Sequence, residues 1–98
     1  MCEVQKREPV TEPVISCQLS FYPLGETAFL PFIDTVLTII QTSGLPHHMN
    51  DMSTIISGES TQVFALLQTI TNIMHEKQCL FSMNIILSNT CGVNYPTI

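Results

Sequence analysis

Two stretches in which apolar and polar residues alternate, Val14 to Tyr22 and Leu80 to Ser88, constrain this chain most. A period of two marks a strand with one dry and one wet face. In the first stretch Ile15, Cys17, Leu19 and Phe21 share a face, and Ser16, Gln18, Ser20 and Tyr22 share the other. In the second, Phe81, Met83, Ile85 and Leu87 oppose Ser82, Asn84 and Ser88, with Ile86 interrupting the polar side. The segments between carry helical spacing instead. Phe29, Ile33, Val36, Leu37 and Ile40 form one amphipathic stripe, and Val63, Leu66, Leu67, Ile70, Ile73 and Met74 form another.

Punctuation residues mark where these elements stop. Pro23-Leu24-Gly25 breaks the first strand, and Thr27 or a neighbour caps the first helix, with Pro31 accepted in its first turn because that position needs no amide hydrogen. Gly44 and Pro46 end the helix. A short edge strand is expected over 46–50, a turn at Asn50-Asp51, and a better strand over Met52 to Ser57. Glu59 or Ser60 caps the second helix, which ends near Lys77, where a cation suits the helix dipole.

The order β-α-β-β-α-β predicts an α+β ferredoxin-like sandwich, a four-stranded antiparallel sheet with two helices on one face. Right-handed crossovers place the first and third strands centrally and the fourth beside the first. With 98 residues there is material for one domain. Residues 1–13 are expected as a flexible arm, 14–90 as the domain and 91–98 as a tail.

Charge narrows the function classes. Three Lys plus Arg stand against eight Asp plus Glu, and no Lys or Arg lies between Arg7 and Lys77, so the basic stripe that nucleic acid requires is missing. The most apolar stretch, Ala28 to Ile40, is too short for a bilayer and contains Pro31 and Asp34, which argues against a membrane protein. Met1 to Glu8 lacks a following apolar core of a secretory signal, so a cytoplasmic location is expected. Cys2, Cys17, Cys79 and Cys91 have no paired metal-ligand spacing and are expected as free thiols.

The polar sides of the first and fourth strands fall on the face away from the helices. That face is built of hydroxyls and amides where Lys, Glu and Arg are usual on a wetted sheet. Neutral dipolar groups suit a half-buried surface, because each finds a directional partner and no unpaired ion is desolvated. A subunit interface, a pocket for a small polar molecule and a plain hydroxyl-rich solvent face all fit this pattern.

Ser20-Phe21-Tyr22-Pro23-Leu24-Gly25, Ser43-Gly44-Leu45, and Met52-Ser53-Thr54 followed by Gly58-Glu59 resemble the thiamine-binding, YkoF-like group of small ferredoxin-like proteins over about residues 14–90. The resemblance implies a non-enzymatic cytoplasmic protein that binds thiamine or its hydroxymethylpyrimidine moiety and assembles through its sheets as a homodimer or homotetramer. Ser20, Tyr22, Thr54 and Glu59 fall on matching motif positions. The stretch Pro46-His47-His48-Met49-Asn50-Asp51 departs from the family pattern. Gln18 and Asn84 offer an aminopyrimidine both a donor and an acceptor, and Tyr22 offers a ring to stack on. Glu59 or Asp51 would favour a thiazolium cation. The expected ligand set is therefore Gln18, Ser20, Tyr22, Ser53, Thr54, Glu59, Asn84 and Ser88, with no cofactor and no metal.

Rival chemistries are less well provided for. His47-His48 with Asp51 resembles a metal set, yet adjacent residues on a strand point to opposite faces. Cys17 lies on the core-facing side, and Cys91 has no histidine placed beside it, so a nucleophile with its base is not expected. Two further readings stay open: a structural or regulatory homo-oligomer that packs through its polar sheet face without a small ligand, and an enzyme using Cys91 or the His47-His48 loop.

Overall fold

The computed structural model describes residues 12–25, 30–50 and 53–90. Its elements are β1 (Val14–Leu24), α1 (Leu30–Ser43), β2 (His47–Met49), β3 (Thr54–Glu59), α2 (Ser60–Glu76) and β4 (Leu80–Ser88). The strands form one antiparallel sheet in the order β2-β3-β1-β4, the ferredoxin-like arrangement that the element order predicts. Residues 1–11 and 91–98, and with them most of the expected arm and all of the tail, lie outside the described residues, as do Thr27, Phe29, Asp51 and Met52.

The core lies between the helices and one sheet face. Ile15, Cys17 and Leu19 of β1 and Ile56 of β3 meet Val36 and Ile40 of α1 and Val63, Leu66, Leu67, Ile70 and Met74 of α2. Phe21 and Phe81 extend it, their rings stacked with centroids 5.4 Å apart. Burial pushes the Cys17 thiol above its ordinary pKa, so it stays protonated and behaves as a small hydrophobe.

Three boundaries differ from expectation. β1 runs on through Pro23 to Leu24, because beyond the pair Leu19↔Thr54 only β4 accompanies it, and a residue without an amide hydrogen costs no ladder bond on the open side. β2 is confined to His47–Met49. β3 starts at Thr54 and continues to Glu59, and it includes Gly58, whose missing Cβ would come 3.1 Å from a Leu45 side-chain carbon. Leu45 is thereby seated against the sheet.

The N-terminus of α2 is held from two sides. Gln62 Oε1 accepts the Glu59 backbone N–H at 3.3 Å. Glu12, expected in the arm, accepts the Thr61 N–H at 2.6 Å and the Ser60 hydroxyl at 3.1 Å, while the Pro13 carbonyl accepts the Ser60 N–H at 2.9 Å. The Thr61 hydrogen bonds, with a smaller contribution from Ser60, hold the Glu12 carboxyl below its ordinary range. Its folded pKa is depressed, so its stabilisation is fully present above the unfolded value, about 4.5, and is lost as pH falls through the folded value. Glu12→Gln is therefore expected to be less stable than wild type at pH ~7, with the difference vanishing in urea melts below the carboxylate range.

At the other end of α2 the chain turns through Gln78, the one non-glycine residue with positive φ (57°) among the described residues. Its N–H bonds the His75 carbonyl and the Cys79 N–H bonds the Met74 carbonyl, at 3.0 and 2.9 Å. These two bonds are the Schellman pattern, with glutamine where glycine is cheapest. Gln78→Gly is accordingly expected to stabilise the protein by about 1 kcal/mol in urea denaturation.

Candidate functional site

The arrest of β1–β3 pairing at Leu19↔Thr54 leaves a notch in the sheet beside Ser20 to Tyr22. Met49, Asn50 and Ser53 border it, and the Asn50 N–H bonds the Ser53 carbonyl at 2.7 Å to close the turn between β2 and β3. Behind the notch, between α1 and the sheet, is a cavity of about 420 Å³. Leu19, Phe21, Ile33, Val36, Leu37 and Ile40 supply apolar walls, and Ser20, Tyr22, Asn50, Ser53 and Thr54 supply the polar groups. No charged side chain lines it among the described residues.

Thr54 is the polar group set deepest. The pairs Met49↔Thr54 and Leu19↔Thr54 put it on the helix side of the sheet, and it is only 8% exposed. Among the described residues no buried side-chain nitrogen or oxygen lacks a hydrogen-bond partner. Ser53 at the rim is already engaged, with its oxygen accepting from Gln18 Nε2 at 3.4 Å.

The expected ligand set is thus divided by the fold. Ser53 and Thr54 line the cavity, Ser20 and Tyr22 border it from strand positions that share the open face with Asn84, and Gln18 reaches its rim through Ser53. Asn84 pairs with Ser20 across β1–β4 and stands exposed on the open face, outside the cavity wall. Glu59 and Ser88 lie at the opposite end of the sheet, Glu59 as the N-cap of α2 and Ser88 opposite Ser16. Sequence periodicity marked Ile33, Val36, Leu37 and Ile40 only as a core stripe. Nothing in that stripe tells a wall facing a cavity from one facing solid core, and Asn50 read only as a turn residue.

A second concavity, of about 490 Å³, runs between the helices over Ile39, Leu45, Leu66 and Ile73. Two of its hydroxyls are turned back on their own helices: Thr69 Oγ1 bonds the Ala65 carbonyl at 2.9 Å and Ser43 Oγ bonds the Ile40 carbonyl. None of the expected ligand residues lines it, and the sheet cavity is the candidate site.

On β2, the pairs His47↔Ile56 and His48↔Ile55 set the two imidazoles on opposite sheet faces, and His47 Nδ1 lies 2.9 Å from the Leu45 carbonyl. Among the described residues no three His, Cys, Asp or Glu side chains converge, and no helix is long and apolar enough to cross a membrane.

Sheet order, helix layer and cavity together define a ferredoxin-like α+β domain with a ligand-sized recess between its first helix and its sheet. The model described as the YKOF-related family matches residues 14–97. The chain belongs to that family. No curated protein sequence gives a match. Among solved structures, the chain is similar to a Thermotoga maritima protein provisionally described as one of thiamine biosynthesis or salvage, with a TM-score of 0.70 and 17% identity, over 82% of this chain and 87% of that one. It is also similar to a Streptococcus pneumoniae protein (TM-score 0.66, 17% identity, 81% and 91% covered). A Bacillus cereus domain of unknown function has a TM-score of 0.65 at 16% identity, with 89% and 88% covered. At these identities the likeness is one of fold.

Proposed function

We propose that this protein binds thiamine or its hydroxymethylpyrimidine moiety in the cavity between α1 and the sheet, without catalysing a reaction, as a cytoplasmic carrier, buffer or sensor. The observation that carries the reading is the largely apolar recess of about 420 Å³ between α1 and the sheet, edged by Asn50, Ser53 and Thr54 and lined by no charged side chain among the described residues. A flat heteroaromatic ring with a few donors and acceptors matches such walls. Family membership supports a thiamine-related ligand, as does the description of the Thermotoga maritima protein.

In this reading Thr54 hydrogen-bonds the ring from the helix side of the sheet, and Gln18, Ser20, Tyr22 and Ser53 close the rim from the open side. Asn84 serves only a ligand that extends onto the open face. Glu59 and Ser88 are too far along the sheet to touch it. No Lys or Arg lies between Arg7 and Lys77, so a phosphate ester would meet no cationic side chain from the elements around the cavity.

Isothermal titration is expected to give heat with thiamine and with hydroxymethylpyrimidine, and weaker binding for thiamine diphosphate. Thr54→Val should weaken thiamine about tenfold, the loss of one hydrogen bond of roughly 1.4 kcal/mol. No heat with any of the three compounds would overturn the reading. Exposed Leu80 and Ile86 on the open face favour a second one, a homo-oligomer that takes no small molecule. Silent titrations with an intact oligomer would select it.

A further inference from the structure

β4 carries apolar side chains that the helices leave uncovered. Through its pairs with Cys17, Leu19 and Phe21 on β1, the strand's Leu87, Ile85 and Met83 stand on the helix side of the sheet. Cys17 and Leu19 are sealed in the core there, yet Ile85 and Leu87 are 38% and 42% exposed. The helix beside them is α2, which packs on β1, β3 and β4. Its Ala65 and Thr69 border the groove toward α1. Helical spacing puts Phe64, with Leu67 and Thr71, on the flank away from α1, and Phe64 is 52% exposed.

Phe64, Ile85 and Leu87 also share one end of the sheet. α2 starts directly after Glu59, whose partner is Val14, and β4 ends at Ser88, whose partner is Ser16. The three side chains therefore edge a shallow apolar channel between the outer flank of α2 and β4, open where the chain leaves the strand. Apolar groups gathered in this way mark a surface that something covers.

We propose that residues 91–98 of the same chain fold back over this channel, with Val93 and Tyr95 against Phe64, Ile85 and Leu87. The chain already bends as it leaves β4, where Ser88 Oγ accepts the Thr90 N–H at 3.1 Å, and Gly92 follows to ease the reversal. The stretch Cys91-Gly92-Val93-Asn94-Tyr95-Pro96-Thr97-Ile98 has no charged side chain, and Val93 and Tyr95 are two apart, so an extended run presents both on one face. Tyr95 can bury its ring and keep its hydroxyl in water. The eight residues 91–98 reach about 26 Å when extended, against about 10 Å from Ser88 back to Ile85. The family match runs to residue 97, which makes this stretch part of the unit that the family shares. The channel lies at the end of the sheet remote from the cavity behind Ser20 to Tyr22, so covering it leaves that cavity accessible.

Isotope-filtered nuclear Overhauser spectra of the full chain test this. Cross-peaks are expected from the Tyr95 ring to the methyl groups of Ile85 and Leu87, and in a mixture of labelled and unlabelled protein they should stay within one chain. No cross-peaks at these groups overturn the proposal, and so do cross-peaks that run only between chains, which would mean that a second copy covers the channel. Phe64→Ser changes an exposed position, and it should leave the far-ultraviolet circular dichroism unchanged while amide exchange over 93–95 becomes about tenfold faster. Equal exchange in the two proteins overturns the proposal. If that variant does not fold, the wild-type spectra alone decide.

Discussion

Placing an indole in the sheet cavity by Leu37→Trp is expected to weaken thiamine binding by about 10- to 100-fold while the protein stays folded. Leu37 is half-buried on α1 and faces the recess rather than solid core, so the larger ring has somewhere to go. A ligand that must share the space then meets an overpacking cost of roughly 1–3 kcal/mol, which converts to that loss of affinity. The native chain has no Trp, so the new residue also supplies a fluorescence signal that thiamine should not perturb once excluded. Wild-type affinity in this variant would mean that the ligand sits elsewhere.

The largest change in stability is expected at Ile56, which is fully buried at the centre of β3 and touches both the helix layer and β1. Ile56→Ala removes three buried carbons at a site hemmed in by strands on both sides, where the neighbours cannot collapse to refill the space. The loss should be about 2–5 kcal/mol in urea denaturation, a large part of the ~5–15 kcal/mol that holds a domain together. Ile55→Ala, one residue away but on the opposite face, should cost clearly less. Equal losses at the two positions would contradict the assignment of Ile56 to the helix side.

The contrast between Ile55 and Ile56 also explains what could be read from the sequence. Alternation in β1 and β4 shows which residues share a face, since each is long enough for the period of two to stand out, but not which are dry: Ile85 and Leu87 on the helix side are exposed and Ser16 on the open side is buried. The helical stripes and their terminators were equally legible, with Gly44 at φ +77° ending α1 as its position suggests. β3 was harder. Thr54, Ile55, Ile56 and Ser57 do not alternate, so the expected strand began two residues early and the side on which Thr54 lies was undetermined. Only pairing with Leu19 and Met49 sets it.

The site was legible in part for a related reason. Ser20, Tyr22 and Thr54 come from two strands that meet at the end of their pairing, with Ser53 just before the second, and the motif order brings them together as candidates. Glu59 and Ser88 belonged to the same list but sit at the far end of the sheet, because sequence gives the identity of strand residues without the distance between strand ends. The apolar wall from α1 carried no signal, since a residue lining a recess and one sealed in the core obey the same spacing. Parity alone puts Cys17 on the core side, where it is fully buried.

The brevity of β2 has a consequence for how such sheets can grow. Fibres need two adhesive ends on every unit, and here Pro46 and a strand of three residues close one end while β4 leaves the other open. Among the described residues only one margin of the sheet is long enough to extend, so edge-to-edge growth in both directions is blocked.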